Sequence, residues 1–133
     1  MDTMSVDLRD SEISDIRLAE GRFELTFARA YLIKTMTGSL EKTRWWQAGV
    51  LVIDEAEAEV PVPTGPQVCA GGDIEDNIYT YRDMIPVPLE SRGRVGCRLQ
   101  LQGMEASLIV SGAAIRLEMK DTPKYIEHIR PDA

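Results

Sequence analysis

Histidine is almost absent from this sequence: among 133 residues only His128, in the tail, is one. That excludes the histidine-rich metal centres found inside many β-barrel enzymes. Cysteine is scarce as well. Cys69 and Cys97 lie far apart, form no CxxC pair, and cannot complete a four-ligand zinc site with His128. Two free thiols are expected, as in a cytoplasmic chain. Long hydrophobic runs are missing too. Val50–Ile53 and Leu108–Val110 are strand-sized, whereas a membrane-spanning helix needs ~20 apolar residues. The opening MDTMSVDLRDSEISD is polar and acidic, without the basic start and apolar centre of a secretory signal. The chain therefore reads as a soluble cytoplasmic protein with no membrane partner.

Positive charge is missing from one segment. Between Trp45 and Tyr81 there is no Lys or Arg, while Asp54, Glu55, Glu57, Glu59, Asp73, Glu75 and Asp76 all lie there. These seven acids equal the net charge of −7, and the other fifteen balance the fifteen basic residues. Phosphate binding is driven by cationic groups, so nucleic acid is a poor partner for such a surface. A basic protein is a better one.

Several catalytic signatures are absent. No G-x-S-x-G elbow occurs. CAGGD has two glycines but no following Lys-Ser/Thr, and no helix follows it to receive a phosphate. Asp73, Glu75 and Asn77 of DIEDN carry oxygen donors but lack the spacing of a calcium loop. Ser111, Asp121 and His128 form a triad only on paper, and Cys97 alternates with apolar residues as a core thiol would. No metal, cofactor or catalytic residue is assigned.

What the sequence has in quantity is alternation. RFELTF sets Phe23, Leu25 and Phe27 against Arg22, Glu24 and Thr26, the period of a half-buried strand. Arg29 breaks the alternation, which predicts a bulge near Ala28–Ala30. TRWWQAGVLVIDEAEAEV is too long for one ordinary strand, so a bend or bulge is expected near Asp54. Pro61 to Pro66 reads as a loop that extends through QVCAGGD. Pro86 and Pro88 suit an edge or a connection. In the C-terminal third, Val95, Cys97, Leu99 and Leu101 oppose Arg94, Arg98, Gln100 and Gln102. With turns at Gly103–Met104 and Ser111–Gly112, this predicts a three-strand antiparallel meander. The tail PKYIEHI suits either one helical turn or an extended segment. One all-β domain over residues 1–133 follows, an antiparallel β-sandwich or partly open β-barrel with little helix.

Within this frame two surfaces are candidates. Glu55, Glu57 and Glu59 alternate with Ala56, Ala58 and Val60, which directs the acids outward. Alternate strand residues lie roughly 6.6 Å apart, within the ~8 Å screening length at physiological salt, so their fields add. Trp45 and Trp46 point to opposite faces, and one exposed Trp beside such acids makes an interaction surface. Trp45, Glu55, Glu57 and Glu59 are thus the candidate partner-binding residues. The alternative is a small-molecule pocket lined by Trp46, Tyr79, Tyr81 and Met84.

DSEISDIRLAEGRFELTF, with the Tyr-Ile ending KYIEHI, resembles small bacterial β-rich proteins of uncharacterised or immunity-protein type. The resemblance implies a sandwich-like fold without catalysis and a role in toxin neutralisation; it transfers no site residues. Two readings result: a non-enzymatic binding protein that meets a basic partner, and a small-ligand barrel or modest enzyme. A filled interior with an acidic outer ridge favours the first, and a preformed apolar pocket favours the second.

Overall fold

Every region of alternation forms a strand in the structure, a computed structural model describing residues 3–38 and 40–129. Among the described residues the strands are β1 (Thr3–Ala19), β2 (Arg22–Thr35), β3 (Lys42–Asp54), β4 (Glu57–Ala58), β5 (Gln67–Asp76), β6 (Tyr79–Arg82), β7 (Met84–Val87), β8 (Glu90–Leu101) and β9 (Leu108–Ile129). All belong to one antiparallel sheet, and the described residues contain no helix. Six of the strands pair in the order β5-β8-β9-β3-β2-β1, and β1 pairs back onto β5 to close a ring. Phe23, Phe27, Leu8, Ile13, Leu25, Leu32, Leu51, Ile53, Ile74, Ile85, Leu99 and Ile115 are the large side chains buried within it. The core is therefore packed with side chains, as in other small barrels.

Local chemistry explains the connections. β1 and β2 join through Glu20–Gly21, both at positive φ (52° and 74°), the twist that a two-residue hairpin needs. The bulge expected near Ala28–Ala30 is present: Phe27 pairs with Gly49 and Ala30 with Gln47. The bend expected near Asp54 is present too. Glu55 takes φ 52°, and β4 then resumes along β9, pairing Glu57 with Ser111 where β3 had ended at Ala114. Pro86 lies in β7, at the end of the strand order, where a missing N–H removes no second ladder.

The closure of the ring is narrow. β1 and β5 pair only through Glu12–Val68 and Ile13–Gln67, then diverge. A bulge over residues 8–11 turns β1: Asp10 has φ 67°, and the buried Ser11 hydroxyl donates to Asp7 O (2.7 Å) and accepts from Tyr31 N (3.1 Å). β6 and β7 fill the gap, β6 on β5 and β7 on β1. Asp83 is the corner between them, at φ 62°. Its carbonyl accepts from Leu8 N (2.7 Å), its N–H donates to Gly72 O (2.6 Å), and its carboxylate accepts from Gly72 N (3.0 Å). One residue thus ties both sides of the opening.

Two expectations are corrected. QVCAGGD is strand β5, not loop. Its glycines serve close approach: a Cβ on Gly72 would collide with Arg98 O, and one on Gly71 with the Asp83 carboxylate. Ser111–Gly112 is not a turn. β9 runs unbroken from Leu108 to Ile129, so the expected last two strands of the C-terminal meander are one strand, pairing β8 with its first part and β3 with the rest. Gly112 is small because Ile53 and the Asp54 carbonyl, at the bend after β3, press against it. The tail takes its extended form, with Ile129 opposite Lys42.

Candidate functional site

The acidic segment divides into acids that are paired and acids that are not. Asp54 accepts from Arg116 of β9 (2.8 Å) and Asp73 from Arg82 of β6 (3.1 Å). Asp76 accepts from the Ser91 hydroxyl and the Asn77 amide. Glu55, Glu57, Glu59 and, apart from them on β5, Glu75 are exposed, and none forms an ion pair among the described residues. Ala56 is buried and Ala58 packs on the core, as the alternation requires, whereas Val60 is exposed. The left-handed backbone at Glu55 interrupts the regular spacing, so the three carboxylates form a bent ridge.

Trp45 does not join this ridge. It lies near the start of β3 and Glu55 follows its end, roughly 33 Å of extended chain away. Trp45 packs on the core, meets Tyr125 edge to face (5.3 Å between ring centres), and donates its indole N–H to Thr43 Oγ1 (2.8 Å).

Trp46, on the opposite face, lines a surface concavity of about 530 Å³ with Asp10, Arg29, Tyr31, Arg44, Tyr125, Ile126 and Glu127. Four strands assemble it: Trp46 pairs with Tyr31 of β2 on one side and Lys124 of β9 on the other, and β1 adds Asp10. The Arg29 guanidinium lies over the Trp46 ring at 4.5 Å and Lys124 Nζ at 4.9 Å, while Arg44 lies over Tyr31 at 4.7 Å. Tyr31 in turn donates its hydroxyl to Glu12 (3.1 Å), and burial is the first of the causes that raise its pKa.

The other pocket candidates are elsewhere. Tyr79 and Tyr81 stack on each other along β6 (6.5 Å), and Met84 belongs to β7; none lines the Trp46 concavity. Sequence reasoning found Trp46 but missed Arg29, Tyr31, Arg44 and Lys124. The available signal was parity: Arg29 and Tyr31 alternate with inward residues of β2, as Arg44 and Trp46 do in β3, and the β2–β3 register sets Tyr31 opposite Trp46.

The remaining candidates do not converge on a reactive centre. Ser111, Asp121 and His128 lie along β9, so the extended strand holds them apart, and His128 Nε2 contacts Glu41 instead (2.6 Å). Asn77 is occupied in the β5–β6 turn, where it donates to Arg92 O and accepts from Arg94 N. Cys69 and Cys97 are free and buried, and burial pushes their thiols up to about 11 and about 12. No group of three or more His, Cys, Asp or Glu among the described residues is placed to hold a metal ion. Nor is any helix there long and apolar enough to cross a membrane. No family model matches the chain, and neither the curated proteins nor the solved structures contain a match.

Proposed function

We propose that this protein is a non-enzymatic binding module that acts through its outer surface, presenting Glu55, Glu57 and Glu59 to a basic protein. The observation that carries this reading is the division of the acids: Asp54 and Asp73 have arginine partners, and the three ridge carboxylates have none among the described residues. The packed barrel core supports the same reading, because it directs recognition to the exterior. Such a ridge accelerates encounter with a cationic partner more than it tightens the final complex. Inhibition or neutralisation of a basic toxin, implied by the resemblance to immunity-type proteins, is the form of this role we favour. The two unpaired buried thiols accord with a cytoplasmic setting.

The test combines Glu55→Gln, Glu57→Gln and Glu59→Gln. These exposed substitutions leave the melting temperature nearly unchanged. Against a basic partner purified after capture, the triple variant associates several-fold more slowly at low salt, and the difference shrinks as salt rises. Equal association rates, or an unfolded variant, would sink the reading.

A further inference from the structure

The Trp46 concavity lies on β1, β2, β3 and β9, away from the acidic ridge, and its two arginines differ from those held in ion pairs. Arg9, Arg82 and Arg116 are each engaged by carboxylates. The Arg29 and Arg44 side chains form no hydrogen bond or ion pair among the described residues, yet each is held over an aromatic ring. An arginine over a ring uses the face of its guanidinium, and its in-plane N–H donors remain available to an oxyanion. Because Tyr31 and Trp46 are directly paired across β2 and β3, the two arginines are anchored on neighbouring rings. Lys124 adds a third cation over Trp46.

We propose that this concavity binds a small planar compound carrying a single oxyanion group, with the oxyanion held between Arg29 and Arg44. The planar body lies against Ile126, which lines the same concavity and is 39% exposed. The volume of about 530 Å³ falls within the ~300–1,000 Å³ of small-molecule sites. Asp10 and Glu127 also line the walls. They repel a second or third anionic group, which selects a singly substituted ligand over polyphosphates and nucleic acid.

Phenyl phosphate, benzoate and neutral benzamide are suitable probes, followed through the Trp46 indole N–H signal in an ¹H–¹⁵N spectrum, assigned with Trp45→Phe. Phenyl phosphate or benzoate shifts this signal saturably, and benzamide does not. The stronger of the two anions tells whether the natural group is a phosphate monoester or a carboxylate. Arg29→Gln and Arg44→Gln each weaken binding at least tenfold, whereas Arg98→Gln, exposed on β8, leaves it unchanged. Arg44→Lys keeps the charge, loses the fork, and weakens binding several-fold. The proposal is overturned if neither anion gives a saturable shift, if benzamide binds equally well, or if binding survives the double Arg29→Gln/Arg44→Gln variant. The wild-type comparison of anion with amide decides the matter even if a variant does not fold. None of these readouts involves the acidic ridge.

Discussion

Cys97 shows how a single residue reads differently alone and in place. Alternation with Val95, Leu99 and Leu101 marks it as a core residue, and the structure buries it beside the same neighbours. Burial disfavours the thiolate, which raises its pKa to about 12, and that of Cys69 to about 11, above the ordinary 9.0. Both thiols should therefore be inert to a disulfide reagent in the native protein at pH 8 and react fully in denaturant; fast native reaction would show that the core opens locally. The linkage has a definite sign. Below pH 9 both states keep the protons and the stabilising contribution is complete. Above it the unfolded chain releases protons that the folded one retains, so the melting temperature should fall as pH rises from 9 towards 11. A melting temperature unchanged over that range would contradict the raised pKa values. Arg29 was legible only as a break in a pattern, because its aromatic partner comes from another strand.

At the level of elements, alternation revealed strands well and glycines poorly. The bulge at Ala28–Ala30 was legible because Arg29 breaks the alternation, and the bend after Asp54 because the run is too long for one ordinary strand. Gly71, Gly72 and Gly112 resemble turn residues in sequence, but each marks a close approach by another part of the chain, and that information lies outside the local window. Gly103 is the contrasting case: it has φ 82° and open space around a Cβ. Gly112→Val should thus destabilise by about 3 kcal/mol through overpacking against Ile53. Gly103→Asn, which keeps access to the left-handed region, should change stability by less than about 0.5 kcal/mol. Chemical denaturation of the two variants checks this, and equal losses would refute the distinction.

For the whole molecule, the decisive feature is the junction between β1 and β5, which no local pattern announces. The sequence fits a sandwich or a barrel equally; the short Glu12–Ile13 pairing and the Asp83 corner make it a ring. Asp83→Ala removes the acceptor for Gly72 N and places an alanine at φ 62°, for a loss of about 2 kcal/mol. Asp83→Gly relieves the backbone term and should recover part of that loss. In hydrogen exchange, the amides of Leu8 and Gly72 should open ahead of the Phe23–Phe27 strand. If all of these amides instead exchange together, the junction is no weaker than the rest of the barrel.

The packed interior also bears on how such a protein changes over generations. Glu57 and Arg29 point outward, while Phe27 and Leu51 point inward, so the residues proposed to meet a partner or ligand and those that hold the barrel are largely different sets. Mutations among outward residues need not pass through poorly folded intermediates. A lineage can therefore follow a shifting partner one surface residue at a time while the architecture stays still.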